Sequence, residues 1–209
     1  TGNIATGKST VARMLGRLGA DRLDADKLAH SLMLPGSDIH RAVVARFGPA
    51  ITTSSGEIDR SALGQIVFAD PRALADLEAL VHPAVIAAAR DWLAGVVAPV
   101  AVIEAIKLLE AGMRADCDAV WVVTSPRALQ EQRLYETRGL TPEQARARID
   151  AQPPQEDKVR AADVVIDNGG ALDDTWRQVL RGWNATPAAP AIPDDTPWLP
   201  DANTAKPQR

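Results

Sequence analysis

Cysteine is nearly absent: Cys117 stands alone among 209 residues. No disulfide can form within the chain, and a cysteine-rich zinc site is excluded. The expected setting is therefore reducing and cytoplasmic. A basic excess is also missing. The chain carries 23 Lys and Arg against 27 Asp and Glu, a formal net charge of −4, so it lacks the positive face on which a general nucleic-acid binder depends. No apolar run approaches the ~20 residues of a membrane-spanning helix, which argues against a membrane partner. The polar, glycine-bearing start has no secretory pattern. Methionine is missing from position 1, and the expectation is a chain without its natural beginning. Aromatic residues make up 4% of the sequence, and Trp92, Trp121, Trp176 and Trp183 read as packing residues, not as a base-stacking platform.

What is present fits a soluble globular protein, with 46% hydrophobic and 24% charged residues. Val11, Met14, Leu15 and Leu18 recur at helical spacing, and residues 20–24 follow as a strand ending in carboxylates. From Ala25 to about Val97 the pattern is helical. Ile39, Val43 and Phe47 share a face. Asp59 is placed to cap the helix bearing Leu63, Ile66 and Val67. Pro71 suits a helix start before Leu74, Leu77 and Val81, and Pro83 is expected to open a further helix through Val85, Ile86 and Trp92. Residues 100–103, 119–123 and 164–166 are short β-branched runs that read as buried strands. A charged helical pair over 126–151 breaks at Gly139 and Pro142, and a last amphipathic helix carries Leu172, Trp176, Val179 and Leu180. Strands alternating with helices predict a parallel α/β sheet. Residues 184–209 hold six of the fifteen prolines, including Pro200 and Pro207. They are expected to form a disordered tail, or a linker to an additional C-terminal domain.

The chemistry begins at Gly2-Asn3-Ile4-Ala5-Thr6-Gly7-Lys8-Ser9, which fits G-x-x-x-x-G-K-[ST] ahead of an amphipathic helix. Glycines let the backbone turn its N–H groups toward phosphate oxygens, and the helix N-terminus adds a positive dipole end. Lys8 neutralises β- and γ-phosphate charge, and Ser9 offers a hydroxyl to Mg²⁺. ATP and Mg²⁺ are thus the expected donor and metal.

A phosphate loop does not by itself choose among kinase, switch GTPase and motor ATPase. No Asn-Lys-x-Asp guanine-reading motif occurs, and the strand ending at Glu104 lacks a paired acid. Asp26 follows Lys8 by about one helix and one strand. A carboxylate there can take the proton of an attacking hydroxyl. The competing reading is a helix N-cap for 27–33 or a solvated loop acid. Among Arg127, Arg133, Arg138, Arg146 and Arg148, charge for a transferring phosphoryl group is assigned to Arg133 and Arg138, and the others read as a solvated helix face.

The ordered set GNIATGKST, DADKLAH at 24–30, VHP at 81–83, LLE at 108–110, QRL with Arg133, and AADVVIDNGG at 161–170 resembles the dephospho-coenzyme A kinase family. The resemblance runs from residue 1 to about 183. It implies a P-loop kinase fold, close to nucleoside monophosphate kinases, with a helical substrate-binding insertion over about 27–98 and a lid over about 126–151. It implies transfer of the ATP γ-phosphate to the ribose 3′-hydroxyl of dephospho-coenzyme A, the last step of coenzyme A synthesis. In its terms Asp26 is the catalytic base, with Lys8 and Arg133 beside it. Gly2, Asn3, Ala5, Thr6, Gly7, Lys8, Ser9, Thr10, Arg133, Asn168 and Gly169 hold ATP. Asp26, His82, Pro83, Glu104, Glu110 and Arg138 lie on the acceptor side.

Two departures stand out. Ile106 and Lys107 occupy positions where a proline and an apolar residue are usual, and His30 stands where an arginine is common. His82 reads equally as a satisfied cap or core residue. Two other readings stay open at this point: a different small-molecule P-loop kinase, and a non-catalytic nucleotide-binding module joined to another domain through the tail.

Overall fold

The structure, a computed structural model, describes residues 1–199. The part of the expected tail at 200–209, with Pro200 and Pro207, lies outside the described residues. In chain order the elements are α1 (Lys8–Arg17), β1 (Asp21–Asp24), α2 (Ala25–Leu32), α3 (Asp38–Phe47), α4 (Arg60–Ala69), α5 (Pro71–Ala94), β2 (Ala101–Glu104), β3 (Trp121–Thr124), α6 (Arg127–Arg138), α7 (Pro142–Asp150), α8 (Gln155–Arg160), β4 (Val164–Asp167) and α9 (Leu172–Asn184). Two compact units result. One is Thr1–Arg22 with the chain from Val97 onward, and the other is Leu23–Val96.

In the first unit β3 and β4 run parallel, in register from Trp121 opposite Val164 to Thr124 opposite Asp167. β1 pairs with β2. Thr1 lies along the free side of β3: its amine donates to the Trp121 carbonyl at 2.8 Å, and its carbonyl accepts from the Val123 N–H at 2.9 Å. That offset is the pattern of a parallel ladder, so the phosphate-loop motif leaves from a strand-like residue. The expected face of α1 is the buried one. Val11, Met14, Leu15 and Leu18 meet Val123 and Ile166 and, from α9, Trp176, Val179, Leu180 and Trp183. Leu172 is not part of this core. It sits in the first position of α9, 47% exposed, whereas Trp183, near the other end of the helix, is buried in the core. Burial of aromatics and β-branched residues against a short parallel ladder supplies the main stabilisation of this unit.

α6 and α7 end and begin where the sequence breaks. Gly139 closes α6 in the left-handed conformation, at φ 60°, and Thr141 and Gln144 form a reciprocal capping box with Pro142 in the first turn of α7. Leu134, Ala145 and Ile149 pack together with Ile4, so the helix pair closes its core on a residue of the phosphate loop.

The second unit is helical. Asp59 caps α4 by accepting from the Ser61 and Ala62 N–H groups. Pro71 opens α5 as expected, but Pro83 does not open a new helix. It lies inside α5, which runs unbroken for 24 residues. Pro83 is on the exposed face. There the backbone hydrogen bond that its missing N–H forfeits is open to water.

The proline-rich segment after α9 departs from the disordered tail expected of it. Over 185–199 it lies on the first unit. Trp183 Nε1 donates to the Pro190 carbonyl at 2.8 Å, and Trp176 Nε1 donates to the Thr196 carbonyl at 2.6 Å. Asn184 bonds both ways with Ile192, at 2.8 and 3.0 Å. The Trp198 ring tilts on Trp176 with centroids 5.2 Å apart, and Arg17 stands 5.1 Å above it. Such a segment cannot fold alone, but it does not have to. A segment rich in prolines has few N–H donors for its own carbonyls, and the two indole N–H donors of α9 meet those of Pro190 and Thr196.

Candidate active site

The loop at 2–8 is shaped by its backbone. Gly7 caps α1 at φ 97°, and a Cβ there would lie 1.9 Å from the Asn168 amide nitrogen, so only glycine fits. A Cβ on Gly2 would lie 2.3 Å from the Val123 carbonyl oxygen. Ala5 turns with a positive φ of 58°. No side chain caps α1 and no acid sits in its first turn. Its leading N–H groups and dipole are thus arranged for an anion. Lys8 is 9% exposed, and its ammonium donates to the Asn3 carbonyl at 3.0 Å. Thr6 Oγ1 donates to the same oxygen at 2.9 Å.

Arg133, on α6, reaches this loop. Its Nη1 donates to the Ala5 and Thr6 carbonyls at 3.1 and 3.2 Å and to Ser125 Oγ at 3.2 Å, and its Nη2 donates to the Asn168 carbonyl at 2.9 Å. All these partners are uncharged oxygens. Burial lowers the Arg133 pKa from its ordinary value, with no carboxylate to offset it. Asn168 completes the brace. Its Nδ2 donates to the Thr6 carbonyl at 2.8 Å, and its Oδ1 accepts from Thr175 Oγ1 at 3.0 Å. Both ends of the Asn168 amide are thus engaged inside the protein. Gly169 follows, its N–H held by Asp167 Oδ1 at 2.8 Å. Thr10 is one turn into α1 and accepts from Arg13.

Ser9 Oγ donates to Glu104 Oε1 at 2.5 Å. The acid at the end of β2, expected on the acceptor side, is therefore placed against the hydroxyl expected to serve the metal. Glu110 is elsewhere, on the loop after β2, where it pairs with Lys158 of α8. Lys158 Nζ lies 2.7 Å from Glu110 Oε1 and donates to the Ile106 carbonyl at 2.7 Å, with its side chain only 3% exposed. Ile106, the departure from the family pattern, thus contributes a backbone oxygen to a buried lysine. Arg138 sits in the last turn of α6, exposed and apart from the loop contacts of Arg133. Arg127 is engaged by Glu131 and Asp150, at 3.0 and 2.6 Å, as a surface pair would be.

In the helical unit Asp24, not Asp26, caps α2: Asp24 Oδ1 accepts from the Lys27 N–H at 3.0 Å. Asp26 stands in the first turn, exposed, at the positive end of the helix dipole. The capping role that competed with catalysis for Asp26 therefore belongs to its neighbour. His82 is half-buried on α5, next to the exposed Pro83.

Several contributors were not legible beforehand. Gln152 Oε1 accepts from the Ile4 N–H at 2.7 Å, and the Pro153 carbonyl accepts from Asn3 Nδ2 at 3.0 Å. Ser125, Thr175 and Lys158 belong with them. Single polar residues at loop and helix positions carry no spacing signal, and only the folded contacts reveal them.

The family model for dephospho-CoA kinase matches residues 1–174. The chain belongs to the dephospho-CoA kinase family. The chain is 46% identical over 188 residues to the dephospho-CoA kinase of Geobacter sulfurreducens, covering 88% of this chain and 94% of that one. It is 45% identical over 190 residues to that of Symbiobacterium thermophilum, covering 88% and 79%. Among solved structures, TT1252 from Thermus thermophilus superposes with a TM-score of 0.76 at 33% identity, covering 88% of this chain and 93% of that one. The dephospho-CoA kinase of Campylobacter jejuni superposes at 0.61 and 27%, covering 87% and 92%. The α/β P-loop kinase fold expected of the family is thus the fold of this chain. No helix among the described residues is long and apolar enough to cross a membrane.

Proposed function

We propose that this chain transfers the γ-phosphate of ATP to the ribose 3′-hydroxyl of dephospho-coenzyme A, giving coenzyme A and ADP, with Asp26 as the base. Membership of the dephospho-CoA kinase family makes it a kinase of that acceptor, and the residue roles are argued from this chain. The observation that carries them is the braced phosphate loop: glycine-shaped, capped by no side chain, and tied to Arg133 and Asn168 by hydrogen bonds.

The loop backbone and Lys8 bind and orient the donor's phosphates. A hydroxyl oxygen of the acceptor attacks the γ-phosphorus as the bond to the β-bridging oxygen breaks. The hydroxyl proton passes to the Asp26 carboxylate, and ADP leaves. Arg133, charged and held among neutral oxygens, stabilises the charge that develops on the equatorial oxygens. Asn168 acts through the loop it braces. The pair over 126–151, packed on Ile4, is the element whose closure excludes water. His82, Glu110 and Arg138 are proposed to serve the acceptor side.

Ser9 Oγ and the Glu104 carboxylate form a hard oxygen pair that suits Mg²⁺. Bound by them, the ion would neutralise phosphate charge. The lone Cys117 fits a reducing cytoplasmic location.

The test is ADP release from Mg-ATP with and without dephospho-coenzyme A. Acceptor-dependent release supports the proposal. Preference for a nucleoside monophosphate acceptor reverses it, as does ATP binding without acceptor-dependent turnover.

A further inference from the structure

Four consecutive residues of the phosphate loop are held from outside it. The Ala5 and Thr6 carbonyls accept from Arg133. Asn3 and Ile4 are held by Gln152 and Pro153, just past the C-cap of α7 at Ala151. The Ile4 N–H donates to Gln152 Oε1 at 2.7 Å, and Asn3 Nδ2 donates to the Pro153 carbonyl at 3.0 Å. The Ile4 side chain is 8% exposed and packs with Leu134, Ala145 and Ile149. Arg133 has a part in phosphoryl transfer. Gln152 has none, although its bond to the loop spans 148 residues of chain.

The Gln152 bond acts on one peptide plane. The peptide joining Asn3 to Ile4 presents its carbonyl to the Lys8 ammonium at 3.0 Å and to Thr6 Oγ1 at 2.9 Å. Its N–H goes to Gln152. A trans peptide is planar, with N–H and C=O pointing in opposite directions. Holding the N–H outward therefore turns the carbonyl inward onto Lys8. The next residue needs such help. Ala5 is the one non-glycine among the described residues with a positive φ, 58°. An L-residue takes up this left-handed conformation at a cost, because its Cβ crowds the following carbonyl oxygen. It stays there only where its surroundings over-determine it. Gln152 fixes the chain on the N-terminal side of Ala5, and Arg133 fixes the carbonyls of Ala5 and Thr6. The turn at Ala5 leads into Gly7 and the N-terminus of α1, whose N–H groups are arranged for an anion.

We infer that Gln152 is a positioning residue for the phosphate donor: it holds the Asn3 to Ile4 peptide so that Ala5 stays left-handed and the loop keeps the shape that grips the ATP phosphates. It acts through the loop backbone and touches no substrate. This rests on ATP as the donor proposed above. The effect is one of preorganisation. Without the Gln152 acceptor, the empty loop relaxes away from the left-handed turn. ATP binding must then restore the turn, and affinity falls by the population lost. Glycine adopts the same turn without crowding. The dependence on Gln152 therefore comes from the Cβ of Ala5, and Ala5→Gly removes it.

The test is a double-variant cycle read by calorimetry. Gln152→Met keeps the bulk of the side chain and removes the acceptor. ATP binding is expected to weaken about tenfold, or about 1.4 kcal/mol. The KM for ATP rises in parallel, and dephospho-coenzyme A affinity stays within about twofold of wild type. In an Ala5→Gly background the same change is expected to weaken ATP binding by no more than about twofold. Gln152→Asn, an amide one methylene too short to reach Ile4, repeats both measurements and takes over where the methionine variant does not fold. Equal weakening in the two backgrounds overturns the inference, since Gln152 would then act on the nucleotide and not through Ala5. Unchanged ATP affinity overturns it as well. So does a parallel loss of affinity for both ligands with a lower thermal midpoint, the mark of a merely structural contact. The proposed function fails in a different way, through a wild-type protein that binds ATP but releases no acceptor-dependent ADP, and the ATP cycle is still read in full.

Discussion

Ser9 Oγ donates a 2.5 Å hydrogen bond to Glu104 Oε1, joining the first turn of α1 to the end of β2. The hydroxyl beside the phosphate loop thus faces a carboxylate, and under the proposed function these two oxygens would hold Mg²⁺. Glu104→Gln keeps the shape and removes the charge. The variant is expected to need a severalfold higher Mg²⁺ concentration for half-maximal rate, with kcat lowered about 10²-fold. A Mg²⁺ titration of initial rates checks this. An unchanged midpoint with a raised acceptor KM would return Glu104 to the acceptor side.

Asp26 stands in the first turn of α2 with its neighbour Asp24 carrying the cap. Asp26→Ala therefore leaves the helix its N-terminal acceptor, and the protein should fold. Turnover should fall by about 10²–10⁴ as general-base catalysis is lost, with ATP affinity unchanged. Steady-state kinetics beside ATP calorimetry separate the two, and near-normal turnover would refute the role.

Arg133 donates to four oxygens in a planar fork, three of them backbone carbonyls of the loop and of Asn168. Lysine has neither the fork nor the reach to serve them together. Arg133→Lys should therefore behave nearly as Arg133→Ala, with both ATP affinity and kcat reduced by tenfold or more. Full rescue by lysine would show that only the charge matters.

Lys158 is buried against Glu110 and the Ile106 carbonyl. Lys158→Met fills a similar volume but leaves the Glu110 carboxylate without its ammonium partner, while the Ile106 carbonyl keeps only the Thr1 hydroxyl at 3.1 Å, a loss of about 1–3 kcal/mol. Urea unfolding should show a lower midpoint with an unchanged slope. A midpoint equal to wild type would mean that water replaces the ammonium without cost.

Residues 185–199 cover Trp176 and Trp183. Trp198→Ala removes the ring that stacks on Trp176 and lies beneath Arg17, and should cost about 1–3 kcal/mol. Thermal unfolding reads the loss. Tryptophan emission should shift to longer wavelength as Trp176 gains water. No change in either would show the segment to be undocked in solution.

The sequence by itself determined the local features of this protein. The phosphate loop needs glycine at fixed spacing because backbone N–H groups must turn inward, and that need is written in consecutive residues. The apolar periodicity of α1, the cap at Asp59 and the break at Gly139 and Pro142 are likewise set within one or two turns, and all of them appear in the fold. Only the tertiary structure decided what crosses long stretches of chain. Pro83 reads as a helix start until the packing of α5 carries the helix through it. Glu104 stands in the sequence as a lone acid at the end of a strand, and its contact with Ser9, 95 residues away, comes only with the fold. The segment after Asn184 reads as unfolded because its own residues bury too little, yet indole donors on α9 and the surface of α1 supply what it lacks. Hydrogen bonds and apolar burial are satisfied by whatever the fold brings near, and nearness in space is not encoded in nearness along the chain.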